Sequence, residues 1–237
     1  MSDTALLDVR EVEGGYGEYR VLDGLSIRVG EDEVVAVLGP NGHGKTTLLR
    51  MISGLLRPAR GSIYFHGQPI HARAPAEIAG LGISHIPQGD LVFPQMLVRE
   101  NILAGAYLRW SERCERMRRI LEDFPRLVPR LNVPARVLSG GERRMLALAR
   151  GLMGGPQLLI VDEPSLGLAP SVRDSVYALL RKCAGDGISM LLVEEKATHL
   201  EGLADRVYVV ESGRVVLEGA AVEILRDRSQ LLRAYMG

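Results

Sequence analysis

Gly39-Pro40-Asn41-Gly42-His43-Gly44-Lys45-Thr46-Thr47 fits the pattern G-x-x-x-x-G-K-[ST], and its neighbours supply the context that the pattern requires. Before it runs Glu33-Val34-Val35-Ala36-Val37-Leu38, a short apolar, β-branched stretch that reads as a buried parallel strand. After it comes Leu48-Leu49-Arg50-Met51-Ile52, the start of an apolar helix. Strand, glycine loop and helix therefore arrive in the order of a phosphate-binding P-loop. Gly39, Gly42 and Gly44 let backbone N–H groups turn inward around an anion, and the helix opening near Lys45 aims its positive dipole end at the same point. Lys45 is placed to reach the β- and γ-phosphates of a nucleotide, and Thr46 to put its hydroxyl on magnesium. The loop as a whole, including Pro40, Asn41, His43 and Thr47, is the expected nucleotide contact.

Composition sets the frame for that loop. The 237 residues are 46% hydrophobic, enough for a well-buried core, and no linker-like stretch divides them. Lys plus Arg and Asp plus Glu both number 29, so the overall field gives no electrostatic case for binding nucleic acid or an anionic membrane, local basic patches aside. Cys114 and Cys183 lack metal-type spacing and suit a reducing compartment. Met1-Ser2-Asp3-Thr4 has no basic leader pattern, and no apolar run approaches the ~20 residues that span a bilayer. The expected location is the cytoplasm.

Upstream, residues 5 to 12 and 21 to 29 read as an antiparallel pair joined through Gly14-Gly15-Tyr16-Gly17, with Tyr16 in the turn and able to offer its ring to a planar ligand. Gly61 to Gly67 reads as a further strand and turn, with His66 and His71 on the surface. Leu81 to Pro87 is a strand that ends in Gln88 and Gly89. Val98 to Phe124 is helical, and Pro125, Pro129 and Pro134 then break the chain into short pieces. Leu138-Ser139-Gly140-Gly141-Glu142 opens the next helix with Ser139 as N-cap, either a plain cap or a second anion site. Gln157 to Glu163 is a buried strand that delivers Asp162 and Glu163 at its carboxyl end, where ligands sit in open α/β sheets. Asp162 then has the position of a magnesium partner, and Glu163 of a base for an attacking water. A helix over 170 to 185, a strand over 188 to 194, a helix over 197 to 204, two strands around Glu211-Ser212-Gly213 and a terminal helix complete an α/β alternation.

With Leu138 to Glu142 lying between the P-loop and the Asp162 strand, the chain resembles the ATP-binding subunits of ABC transporters over nearly its whole length. The resemblance implies one ATP-binding domain over residues 1–237. It implies a RecA-like α/β core of the P-loop NTPase type with helices on both faces, an N-terminal antiparallel β-subdomain and a helical signature subdomain inserted at about 90–155. It also implies ATP and Mg2+ as ligands, Tyr16 stacked on adenine, and Gln88 sensing magnesium beside the surface that meets membrane subunits. Glu163 becomes the catalytic glutamate. Ser139, Gly140 and Gly141, with Glu142, would serve the ATP of an opposite protomer, so a second ATPase subunit completes the site.

The run Asp162-Glu163-Pro164-Ser165-Leu166-Gly167-Leu168-Ala169-Pro170, with Phe93-Pro94, Arg99-Glu100-Asn101 and Ala234-Tyr235-Met236-Gly237, resembles the smaller ATPase of branched-chain amino-acid type importers. That implies membrane permeases, indirectly a solute-binding protein, no nucleic acid, and a peripheral place on the inner membrane face. Two positions depart from the family. His43 replaces a small residue, and Glu195 stands at the switch-histidine position, where a carboxylate would repel a γ-phosphate unless protonated or turned away. His199 lies four residues on. Slow turnover by the lone chain is therefore expected. The other readings are a soluble ATPase of this family in a non-transport machine, and a weakly catalytic regulatory subunit.

Overall fold

The computed structural model describes residues 5–89, 92–227 and 231, and the Ala234 to Gly237 segment lies outside them. The fold opens with a long antiparallel hairpin, β1 (Leu7–Tyr16) and β2 (Tyr19–Val29), to which β4 (Arg60–Phe65) and β5 (Gln68–Pro69) add in the order β2-β1-β4-β5. The expected pair is present but runs further than 5 to 12 and 21 to 29. Tyr16 is the last residue of β1, paired with Tyr19, and the turn is only Gly17-Glu18. Its glycine-rich stretch bulges rather than turns: register shifts fall between Val12, Gly14 and Gly15, and the strand continues through them.

The second sheet has the order β10-β9-β3-β8-β7-β6, built from β3 (Val34–Leu38), β6 (Ile83–Ile86), β7 (Leu158–Asp162), β8 (Ser189–Glu194), β9 (Arg206–Glu211) and β10 (Arg214–Ala220). Its strands are parallel except β10, which pairs antiparallel with β9 at the edge. Every residue of β3, β7 and β8 is buried, the pattern of strands covered on both faces. The alternation of side chains divides β3 between two cores. Val34, Ala36 and Leu38 join the helix-covered core, while Val35 and Val37 join the core shared with β1 and β2. α1 (Lys45–Ile52) is wedged into the second core by Leu48, Leu49, Met51 and Ile52, which anchors the carboxyl end of the loop ahead of it.

Three helices fill the interval between β6 and β7: α3 (Val98–Ala104), α4 (Arg113–Asp123) and α5 (Gly140–Met153), following α2 (Pro75–Gly80). The stretch expected as one helical run from Val98 to Phe124 is interrupted by a 3₁₀ segment, Tyr107–Glu112, where Arg109 leaves the helical region at φ −129°. Gly105 ends α3 pressed on α5: a Cβ there would lie 2.0 Å from the Arg150 carbonyl oxygen. α2 was not expected, although Pro75 at its first position is a helix-start signal. Glutamates three residues into α2, α3 and α5 accept the N–H of the residue before each helix: Glu77 from Ala74, Glu100 from Leu97 and Glu142 from Ser139, each at 2.8 Å. α6 (Pro170–Gly185) matches its expected bounds, and α7 (Ala221–Ile224) is a single short turn of helix after β10; the rest of the expected terminal helix lies largely outside the described residues. The helix expected over 197 to 204 is only a 3₁₀ turn, Ala197–His199, because Gly202 takes φ +68° and closes the segment early. Among the described residues no helix is long and apolar enough to cross a membrane.

Candidate active site

The carboxyl ends of β3 and β7 meet at a cavity of about 500 Å³. From the loop it is lined by Asn41, Gly42, Gly44, Lys45, Thr46 and Thr47, and from other elements by Tyr16, Arg50, Gln88 and Glu163. The loop glycines are required by space as well as by torsion. A Cβ on Gly39 would sit 2.2 Å from the Val210 carbonyl oxygen, and Gly44, at φ +102°, would drive one to 2.6 Å from the Leu22 side chain. Lys45, 4% exposed, donates to the carbonyls of Gly39 at 2.7 Å and Pro40 at 2.9 Å, spanning the loop from within. Burial pushes its pKa down, against the carboxylates of Glu163 and Asp162.

Thr46 donates its hydroxyl proton to Asp162 Oδ2 at 2.9 Å, joining the loop to the end of β7. Asp162 is fully buried, and desolvation raises its pKa although the Thr46 bond and Lys45 oppose this. Its Oδ1 is buried with no hydrogen-bond partner. An orphaned carboxylate oxygen beside a hydroxyl, at the foot of a phosphate loop, is the donor chemistry a hard divalent cation takes, and magnesium fits here. Glu163 follows at φ +45°, a strained backbone state for a residue with a Cβ. It is only 6% exposed; burial raises its pKa, Lys45 pulls it down and Asp162 pushes it up. Gln88 donates from Nε2 to Glu163 Oε2 at 2.9 Å, so the β6 loop and the carboxylate touch directly.

Tyr16, 42% exposed, stands at the cavity rim, and its hydroxyl accepts from Arg50 at 2.8 Å. Asn41 donates to Glu195 Oε2 at 3.0 Å, so that carboxylate is tied to the phosphate loop. His199 does not enter the cavity lining; its ring stacks on Tyr177 at 4.7 Å between centroids. His43 lies within the loop, but its ring turns to Ser212 instead of lining the cavity. Ser139, Gly140, Gly141 and Glu142 do not line it either. Ser139 is exposed at the head of α5, its hydroxyl accepting the Glu142 N–H at 3.3 Å and donating to Glu142 Oε2 at 2.8 Å. A Cβ on Gly141 would meet the Val172 side chain at 2.8 Å, so the head of α5 is packed on α6.

Two groups escaped the sequence reading. Arg144, 3% exposed, donates to the carbonyls of Pro87 at 3.1 Å, Gly89 at 3.2 Å and Asp162 at 2.9 Å, connecting α5, the Gln88 loop and β7. A guanidinium on the apolar face of α5 was its signal. Glu194, 4% exposed, accepts the Tyr177 hydroxyl and the Ser165 N–H, and it fixes the turn after Glu163; a carboxylate ending an apolar strand was the clue, as at Asp162. A larger groove of about 640 Å³ lies between β6, Phe93, the end of α3 and α5, but it holds neither the loop nor the carboxylates.

A profile of the ABC transporter family matches residues 22–166. The high-affinity branched-chain amino acid transport ATP-binding protein BraG of Pseudomonas aeruginosa is 36% identical over 233 residues, covering 98% of this chain and all of that one. Nod factor export ATP-binding protein I of Rhizobium meliloti is 39% identical over 235 residues, covering 98% of this chain and 70% of its own length. Among solved structures, the ADP conformation of an ATP-binding cassette of an ABC transporter superposes with TM-score 0.86 at 29% identity, covering 98% and 99% of the two chains. A nucleotide-free ATP-binding cassette gives the same TM-score at 27% identity, again over 98% and 99%. Profile, relatives and fold agree, and the chain therefore belongs to the ABC transporter family, as an ATP-binding subunit whose hydrolysis of ATP is coupled to transport.

Proposed function

We propose that this subunit powers import of a small solute, a branched-chain or other hydrophobic amino acid, through separate membrane permeases. The observation that carries the catalytic half is that loop, lysine and Glu163 line one cavity, with Asp162 buried beneath it and held to the loop by the Thr46–Asp162 bond, and Gln88 held to Glu163. For the solute, support comes from the Asp162 to Pro170 run and from the full-length match to BraG.

In this reading the loop N–H groups from Gly42 to Thr47 and the Lys45 ammonium hold the phosphates, and Tyr16 stacks on adenine. Thr46 and Asp162 would hold magnesium, which when bound supplies neutralisation of phosphate charge. Glu163 takes the proton of the attacking water, and Gln88 orients that carboxylate. Ser139, Gly140 and Gly141 of a second ATPase subunit complete the γ-phosphate shell, so nucleotide draws two heads together. Residues 1–237 act as one ATP-binding domain whose helical part, about 90–155, carries the signature. The groove bordered by Phe93, Tyr107 and Leu108 is the face assigned to the permeases, placing the subunit on the inner side of the membrane.

Export is the second reading, favoured by the 39% identity to a Nod factor export protein. Reconstitution with its membrane subunits in vesicles separates the two. ATP supplied on the subunit's side should drive leucine, isoleucine or valine toward that side; ATP-driven movement away from it selects export, and movement of none of the three removes the branched-chain assignment.

A further inference from the structure

The geometry points to His43 as a positioning residue that braces the phosphate loop from behind; the inference rests on that loop being the ATP site. Its Nδ1 accepts the backbone N–H of Ser212 at 2.9 Å, and its carbonyl accepts that of Gly213 at 3.2 Å. Two groups of one loop residue thus grip successive N–H groups of the β9–β10 turn. The turn is anchored in its own right. The Gly213 carbonyl accepts the Asp23 N–H at 3.0 Å, Arg214 is ion-paired with Asp23, and a Cβ on Gly213 would lie 2.0 Å from the Val21 carbonyl oxygen. β2 backs the turn, and the turn backs the loop.

The brace answers a particular weakness. His43 lies between Gly42 at φ +87° and Gly44 at φ +102°, two residues that leave the intervening peptide free to rotate. Phosphate binding requires the loop N–H groups to point inward together, and any population with this peptide turned outward lowers apparent affinity in proportion. A ring nitrogen on a fixed turn selects one arrangement before nucleotide arrives. Nδ1 acts as acceptor, so the neutral ring carries its proton on Nε2.

The test is ADP titration and steady-state ATP turnover of the full chain carrying His43→Ala, His43→Asn or His43→Gln, with Lys45→Ala alongside. Asn places its carbonyl oxygen where Nδ1 lies, and Gln carries it one bond further out. Ala and Gln should weaken ADP binding and raise KM by roughly three- to tenfold with kcat within about twofold, while Asn stays within about twofold of the native chain. Because Asn and Gln are chemically alike, a loss in Gln that Asn does not share is not a folding defect. Native affinity in the Ala variant, or equal behaviour of Asn and Gln, would overturn the brace while leaving the ATP site intact. Full ADP affinity in Lys45→Ala would remove the site reading and the brace with it.

Discussion

Replacing Glu163 by Gln isolates the proton-accepting step, because the structure lets almost everything else survive the change. Glutamine has the same bulk at a position 6% exposed, keeps the φ +45° backbone held by the 2.9 Å bond from the Glu163 N–H to the Val193 carbonyl, and still offers Gln88 an oxygen to accept its amide proton. Lys45 and Thr46 donate their hydrogen bonds to groups other than Glu163, so nucleotide affinity should stay within about twofold. A positioned general base contributes roughly 10²- to 10⁴-fold, about 2.7–5.4 kcal/mol of barrier, and turnover should fall by that factor. Fluorescent-nucleotide titration and phosphate-release kinetics on the same preparation give both numbers. The pH dependence carries a sign as well. Burial raises the Glu163 pKa in the folded chain, so its ionised form is costly there, and the cost is present above the folded pKa and absent below the ordinary carboxylate range. The Gln variant should therefore melt higher than the native chain at neutral pH and lose that advantage as pH falls through the carboxylate range. Native activity should fail on the acid side at a higher pH than an unperturbed glutamate would give. Loss of nucleotide affinity together with turnover would refute the base assignment, as would unimpaired turnover.

Glu195, tied to Asn41, keeps a carboxylate beside the phosphate loop, so the lone chain should hydrolyse ATP slowly and Glu195→Gln should speed it roughly three- to tenfold; a slower variant would show that the carboxylate assists. Tyr16→Ala should weaken ADP by roughly fivefold or more while sparing inorganic pyrophosphate, and Tyr16→Phe, which keeps the ring and loses only the Arg50 bond, should bind almost normally in the same calorimetric titrations. Asn101, fully buried, accepts the Phe93 N–H at 2.7 Å and donates to the carbonyls of Phe93, Met96 and Leu97; Asn101→Ala should cost about 3 kcal/mol and lower the melting temperature by roughly 6–12 °C, and a melt unchanged within 2 °C would contradict this set of bonds.

What the sequence determined by itself is whatever neighbours along the chain decide. The β3–loop–α1 unit, the capped head of α5, the bounds of α6 and the delivery of Asp162 and Glu163 at a strand end all come from periodicity, glycine spacing and caps within a dozen residues. The same local signals misled where context overrode them: the glycines around Tyr16 became bulges because β4 and β2 hold both edges of β1, and Gly202 cut short the segment after Lys196. Tertiary structure alone decided which of these pieces meet. Sheet order β9-β3-β8-β7-β6 brings Asp162 to Thr46 across 116 residues, Glu195 to Asn41 across 154 and Ser212 to His43 across 169. It also turned Arg144 from a charge on a helix into the connection between α5, the Gln88 loop and β7. The residue types were marked in the chain but the direct bonds between them were not, because a hydrogen bond depends on ångström distances that only the packing of both sheets around α1 fixes.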